Sequence, residues 1–354
     1  MMPKINRLFL LLLAFIPISW IATLFITDEV LLFPLIIISL IPLAIIIGYA
    51  TKEITIQTNP TVGGLLNASF GNVIELIIAF FALTHGLTRL VEASIIGSIL
   101  ANILLLIGLS LFFGGIKHKE QRFNKESVGV SSTMLIIAIA GLAIPTAYAL
   151  TNHATNGQVQ LLSELVAVVL AVTYIASLIF SFITHKHLFD TSDEIKLLKE
   201  TPTLTRKRAA IILLIVTVVV AFQSEMLVNV VEHAATNIGL TQTFIGVVII
   251  AIVTNIAEKA NAVNFAMQNK IDVSIEIGLS SAIQIALFVV PILVLTSHFL
   301  NLQFTLIFSV FEITAMLLAV MIVNYLSADG KCNWLEGVQL MAVYFIIIAA
   351  FYFI

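Results

Sequence analysis

Eleven times along this chain, a run of about 20 mostly apolar residues is long enough to cross the hydrocarbon core of a bilayer. The runs lie near 8–26, 30–50, 61–84, 90–116, 128–150, 158–184, 208–231, 241–267, 273–297, 303–326 and 334–354. Lipid offers nothing for an unpaired backbone N–H or C=O to bond, so segments of this length are expected as helices. The expected fold is an all-α integral membrane protein with about 11 transmembrane helices. Composition agrees, with 60% hydrophobic residues and only 10% charged, against about 25% charged in soluble domains. After the first run come Thr27-Asp28-Glu29 rather than a small-residue cleavage pattern, so it is read as a helix and not as a signal peptide.

The basic residues orient the runs. With the N-terminus in the cytoplasm, the inner loops collect Lys4, Arg7, Lys52, Lys117, Lys119, Arg122, Lys125, Lys186, Lys196, Lys199, Arg206, Lys207, Arg208, Lys270 and Lys331, leaving only Arg89 outside and Lys259 within a span. This is the positive-inside asymmetry, and a missed span would scramble it. An odd number of spans puts the C-terminus on the opposite side, in the cell membrane if the cell is prokaryotic. The net charge of -3, without a long basic stripe, speaks against a nucleic-acid partner. The one cysteine, Cys332, excludes an intrachain disulfide and any cysteine-based metal cluster. The longest loop, about 186–207, mixes Asp190, Asp193, Glu194 and Glu200 with Lys196 and Lys199 and reads as a linker between two halves.

Within the third run lies Glu75, about half-way along an apolar stretch. An ionised acid at that depth costs about 2.5–3.5 kcal/mol on insertion scales, so such residues usually have a function. Asn72 shares its helical face, while Gly71 and Ala79 leave room for a neighbouring helix. Shifted by 183 residues, Gly63 meets Gly246, Asn72 meets Asn255, Glu75 meets Glu258, Ala79 meets Ala262 and Ser98 meets Ser281. Asn-x-x-Glu-x-x-x-Ala therefore occurs twice, each time within a span. Spans two to six and seven to eleven form two groups of five, and an odd group inverts the second relative to the first, as in many secondary transporters. The expected layout is an N-terminal helix (1–27), a five-helix repeat (28–185), a cytoplasmic linker (186–207) and a second, inverted five-helix repeat (208–354), with Glu75 and Glu258 converging near the bilayer centre.

These residues resemble the calcium/proton exchanger family of the calcium/cation antiporter superfamily. The resemblance covers spans two to eleven. It is carried by Gly63-Gly64-Leu65-Leu66-Asn67-Ala68-Ser69-Phe70-Gly71-Asn72-Val73-Ile74-Glu75-Leu76, by Gly97-Ser98-Ile99-Leu100-Ala101-Asn102-Ile103-Leu104-Leu105, and by Ser281-Ala282-Ile283-Gln284-Ile285-Ala286-Leu287-Phe288-Val289-Val290-Pro291. Val323-Asn324-Tyr325-Leu326 with Gly330-Lys331-Cys332-Asn333-Trp334-Leu335-Glu336-Gly337 looks like the family's closing hairpin. The chain departs from the pattern where Thr254 stands for a glycine, Lys259 for a histidine, and Ser280 for the glycine of Gly-Ser-Ser-x-Gln. Its linker is also mixed rather than strongly acidic. The resemblance implies a cation antiporter, with Ca2+ as the transported substrate and no cofactor.

The residue types suit that chemistry. Ca2+ takes six to eight oxygens from carboxylates, amides, carbonyls and hydroxyls. Glu75 and Glu258 would match its two charges, with Asn72, Asn255, Ser98, Ser281 and Gln284 as oxygen donors or as helix-packing glue. Glu53, Glu225, Glu276 and Glu312 are candidates for a proton path, or else cap and snorkel. Lys259 lies about 100° around the helix from Glu258 and reads as a counter-ion or a snorkelling side chain. The expected function is export of Ca2+ in exchange for protons. Exchange of Na+ for Ca2+, transport of Mn2+, a channel and a non-transporting relative remain alternatives. No His-Glu-x-x-His or comparable pair suggests an enzyme. The partners expected are Ca2+, H+ and the lipid bilayer, with a homo-oligomer left open.

Overall fold

The computed structural model describes residues 7–58, 63, 66, 69–151, 154–185 and 202–354. Gly64, Leu65, Asn67 and Ala68 of the first motif, Lys4 and the linker from Lys186 to Thr201 lie outside them. Among the described residues, the helices with both ends defined are, in chain order, α1 (Arg7–Phe25), α2 (Glu29–Thr55), α3 (Val73–Thr84), α4 (Thr88–His118), α5 (Lys125–Ala149), α6 (Asn156–Thr184), α7 (Arg206–Ile238), α8 (Gln242–Thr254), α9 (Ile256–Met267), α10 (Ile271–Phe299), α11 (Val310–Leu326) and α12 (Trp334–Tyr352). Two three-residue strands, β1 (Glu120–Arg122) and β2 (Lys331–Asn333), pair antiparallel.

Seven of the described helices are long and apolar enough to cross a membrane, namely α2, α4, α5, α6, α7, α10 and α12. The pair α8 and α9 passes the same test together but is bent by 57° at its junction, while α3, α11 and most of α1 are shorter apolar helices. Local chemistry sets the ends. The side chains of Asp28, Asn124 and Thr205 accept from backbone N–H groups at the starts of α2, α5 and α7. Reciprocal capping boxes start α6 (Thr155 and Gln158), α11 (Ser309 and Glu312) and α12 (Asn333 and Glu336). Gly239, at φ 72°, closes α7 in the left-handed conformation that glycine tolerates best.

The sequence repeat reappears in the element boundaries. The helices α3 and α9 each have 12 residues and begin at positions 73 and 256, 183 apart. The starts of α4 and α10, at 88 and 271, stand at the same interval, as do the ends of α2 and α7 at 55 and 238. The recurrence extends to an irregularity: α4 winds as a π-helix over Ala101–Leu106, and α10 does so over Ile285–Val289.

Two compact units result, each drawing on both parts of the sequence. The first comprises 1–94, 191–257 and 354, and the second 95–190 and 258–353. In the first unit α2 packs along α7, α1 lies on α2, and α3 packs on α7. Gln223 of α7 is fully buried there. Its Nε2 donates to Ser19 Oγ (2.9 Å) and to Ser39 Oγ, and its Oε1 accepts from Trp20 Nε1 at 2.9 Å. A buried amide is tolerable at this depth because both its ends are bonded.

In the second unit α4 crosses α12 closely, and α10 packs on α4 and α5. Here one sequence expectation is corrected. The apolar run 303–326 was expected to be a helix throughout, but the helix starts only at Val310. The segment before it carries buried Phe304, Leu306 and Phe308, and its backbone is bonded by side chains of other helices. Leu306 N–H donates to Ser163 Oγ (3.1 Å) and Phe308 N–H to Thr146 Oγ1 (2.8 Å), while Thr146 Oγ1 donates to Leu306 O at 3.3 Å. Irregular backbone inside an apolar protein requires such partners.

Candidate cation site

Both copies of Asn-x-x-Glu present the glutamate in the same local geometry. Asn72, 1% exposed, precedes α3 with φ -108° and ψ 24°, and Glu75 falls in the first turn of α3. Asn255, also 1% exposed, ends α8 with φ -97° and ψ 14°, and Glu258 falls in the first turn of α9. Both asparagines occupy the sparsely populated bridge region, where many active-site residues sit. The sequence led us to expect unbroken spans over 61–84 and 241–267, but in each the chain breaks at the asparagine and a half-helix starts after it. A half-helix start exposes N–H groups that lack intrahelical acceptors and carries the positive end of the helix dipole. Each carboxylate is thus held at the point in its span that best tolerates negative charge.

Thr254 now has a structural account. Its Oγ1 donates to Ile250 O (3.0 Å) and accepts from Asn255 Nδ2 (3.2 Å), which also donates to Ala251 O (3.2 Å). The amide nitrogen of Asn255 is thereby turned back onto α8, which fixes the plane of the amide. A glycine at 254 would offer no hydroxyl for this purpose.

Asn72, Glu75 and Asn255 belong to the first unit, in which α3 packs against the last turn of α8. Ser98, Glu258, Ser281 and Gln284 belong to the second. Ser98, Ser281 and Gln284 are all buried, at 1%, 3% and 9% exposure. Lys259 is buried as well, at 6%, so its side chain does not snorkel to the surface.

One buried polar residue next to Ser281 is not among the candidates the sequence suggests. Asn102 on α4 is completely buried, and its Nδ2 donates to Ser281 Oγ on α10 at 2.8 Å. Its Oδ1 has no hydrogen-bond partner among the described residues. A Cβ on Gly278 would lie 2.9 Å from Asn102 O, so glycine there is what lets the two helices approach at this level. The signal was present: Asn102 stands four residues after Ser98, on the same helical face of an otherwise apolar span. Asn102 also lies in the π-helical turn of α4, and that of α10 begins directly after Gln284. Single π turns inside α-helices occur frequently at functional sites.

The four further acids fall in different settings. Glu53, 3% exposed, accepts from Thr203 N–H (2.9 Å), Thr203 Oγ1 (2.8 Å) and Leu204 N–H (2.9 Å). It therefore ties the segment before α7 to the end of α2. Glu312 is fully buried and closes the capping box of α11, accepting from Ser309 N–H at 2.6 Å. Glu225 is exposed on α7. Glu276 is partly exposed on α10 and accepts from Ser127 Oγ at 3.4 Å.

The family described as sodium/calcium exchanger protein matches residues 29–183 and 208–353. The chain belongs to that family. The two matched stretches flank the linker and contain one Asn-x-x-Glu each. Among similar exchangers, a Ca(2+)/H(+) antiporter of Aphanothece halophytica is 41% identical over 364 residues, spanning 98% of this chain and 97% of that protein. The Ca(2+)/H(+) antiporter ChaA of Bacillus subtilis is 40% identical over 350 residues, spanning 98% and 99%. The solved structure of native YfkE superimposes with a TM-score of 0.85 at 38% identity, covering 98% of this chain and 100% of that one.

Proposed function

We propose that the chain is a secondary antiporter that exports Ca2+ from the cytoplasm in exchange for protons, by alternating access around Glu75 and Glu258. The observation that carries this reading is the duplicated half-helix: a bridge-region asparagine, then a glutamate in the first turn, in both parts of the chain. The full-length likeness to Ca(2+)/H(+) antiporters supports the choice of ions.

The chemistry follows from charge. Two ionised glutamates match one Ca2+, which takes further oxygens from Asn72, Asn255, Ser98, Ser281, Gln284 and half-helix backbone. Without the cation, two acids at this depth resist ionising together, because burial and mutual repulsion both favour the protonated form. One Ca2+ or about two protons therefore neutralises the site. A neutral site can change the membrane face it opens to, and an empty dianionic one resists doing so, which couples the two fluxes.

The layout we propose is the eleven-span one. A first helix (1–27) precedes two oppositely threaded five-helix repeats (28–185 and 208–354), joined by the cytoplasmic linker 186–207. Boundaries recurring at an interval of 183 residues support the repeats. The basic inner loops place the N-terminus in the cytoplasm and the C-terminus on the opposite side.

The test is isotope flux in sealed vesicles, with pH and sodium gradients imposed separately. We expect 45Ca2+ accumulation driven by the pH gradient and lost in Glu75→Gln and Glu258→Gln. Accumulation driven by sodium alone would assign the chain to Na+/Ca2+ exchange instead. Flux that never concentrates Ca2+ against its gradient would make it a channel.

A further inference from the structure

Apart from its ends, α10 is one of the most enclosed helices of the second unit, and its accessible side is narrow. Between Asp272 and Gln284 the partly exposed residues are Asp272, Glu276, Ile277 and Ser280, and the rest are buried. Asp272, Glu276, Ser280 and Gln284 follow one another at four-residue steps, so they form a single stripe along the helix. The stripe covers about 18 Å of helix length at 1.5 Å per residue. It starts at the α10 end that the basic loop at Lys270 places in the cytoplasm, and it ends at a proposed ligand of the cation. The helix α5 packs beside it and contributes hydroxyls at the same level. Ser127 Oγ donates to Glu276 Oε2 at 3.4 Å, and Ser131 bonds the same carboxyl. Ser127 and Ser131 are themselves buried, at 8% and 4% exposure.

We propose that Glu276 relays protons between the cytoplasmic face and the cation site, along the stripe Asp272, Glu276, Ser280 and Gln284 with the hydroxyls of Ser127 and Ser131. The inference rests on the antiport reading and names the proton route of that same site. Of the four acids read from the sequence as proton-path candidates, Glu276 is the one placed for this work. Glu53 holds the segment before α7 through three hydrogen bonds, Glu312 closes a helix cap, and Glu225 belongs to the other unit. During Ca2+ export the carboxylate of Glu276 takes a proton released from the site side, becomes neutral, and returns it to cytoplasmic water, so the relay resets with no net change. Ser280 stands half-way between Glu276 and Gln284, and its hydroxyl both accepts and donates.

The charged neighbour of Glu276 is Asp272, one turn towards the cytoplasmic end. The helices α4, α5 and α6 and the strand β1 pack against α10. Their other titratable residues are Arg89, Glu92, Lys117 and His118 of α4, Lys125, Glu126 and Tyr148 of α5, Glu164 and Tyr174 of α6, and Glu120 and Arg122 of β1; Glu92 and Tyr174 are buried, His118, Tyr148 and Glu164 partly exposed, and the rest exposed.

Two transport modes separate a proton relay from a cation-binding or purely structural role. Proton-driven 45Ca2+ uptake needs protons to move, whereas 45Ca2+/40Ca2+ self-exchange at equal pH needs only the cation path. In vesicles carrying the full chain, Glu276→Gln is expected to lower proton-driven uptake by about a hundred-fold, the low end of what proton-transfer groups contribute. Self-exchange should stay within about two-fold of the unaltered protein, which also reports correct folding. Glu276→Asp, which keeps a titratable group, should recover most of the proton-driven rate. Equal losses in both modes, or no loss in either, would overturn the relay. Absence of proton-driven uptake in the unaltered protein would instead overturn the antiport reading, and with it the relay, before any variant is compared.

Discussion

Gly337 sits where α12 meets α4, and adding a single methyl there tests whether this crossing is as close as described. A Cβ on Gly337 would lie 2.4 Å from Phe112 N and 2.6 Å from Gly108 O, both backbone atoms of α4. No side-chain rotation relieves such a contact, so the two helices must separate. Overpacking of this kind costs about 1–3 kcal/mol, a factor of about 5–150 in the folding equilibrium. The matching control is Gly129→Ala on α5. Nothing lies within 4 Å of a Cβ there, and alanine gains about 0.5–1 kcal/mol over glycine inside a helix. Thermal unfolding of the purified protein in one detergent should place Gly337→Ala below, and Gly129→Ala at or above, the unaltered chain. Since α4 carries the candidate site residues Ser98 and Asn102, 45Ca2+ exchange by Gly337→Ala is expected to fall as well. A Gly337→Ala protein as stable as the original would refute the reasoning.

Other residues give further expected outcomes. Asn102→Ala removes the donor to Ser281 Oγ, and exchange should fall several-fold with the protein still in the membrane; unchanged flux would remove Asn102 from the site. Lys259→His, which restores the family's usual residue, should keep or raise exchange, and an inactive variant would show that the buried lysine has its own use. Burial, then the carboxylates of Glu336, Asp272 and Asp329, push the Cys332 thiol up from 9.0 to about 12. The native protein should therefore resist maleimide at pH 7–8 and react after denaturation. Because the folded value is the higher one, this thiol's contribution to stability is complete below about pH 9 and is lost as pH rises towards about 12. Rapid labelling of native protein would contradict its burial.

Much of this architecture is legible in the residues because lipid permits few alternatives. Apolar run length locates α2, α4, α5, α6, α7, α10 and α12 directly, and the 183-residue interval pairs α3 with α9 from the sequence alone. The breaks at Asn72 and Asn255 were not legible. Each asparagine stands within a predominantly apolar run, so hydropathy runs through the break, and one residue in the bridge region leaves no mark on periodicity. The segment before Val310 misled for a related reason. Its alternating buried Phe304, Leu306 and Phe308 add up to a hydropathy as high as that of a helix, and the hydroxyls of Thr146 and Ser163 that bond its backbone come from more than 140 positions away. Asn102 was visible as a buried amide, but only its hydrogen bond to Ser281 shows what it supports.

The proposed exchange requires Ca2+ and protons to compete for the same two carboxylates. Calorimetric titration of Ca2+ into the purified protein, repeated in buffers of different ionisation enthalpy at one near-neutral pH, counts the protons expelled per ion bound. The account predicts release of up to about two protons per Ca2+, falling when either Glu75 or Glu258 is changed to Gln. Saturable Ca2+ binding with the same heat in every buffer, and hence no proton release, would contradict it.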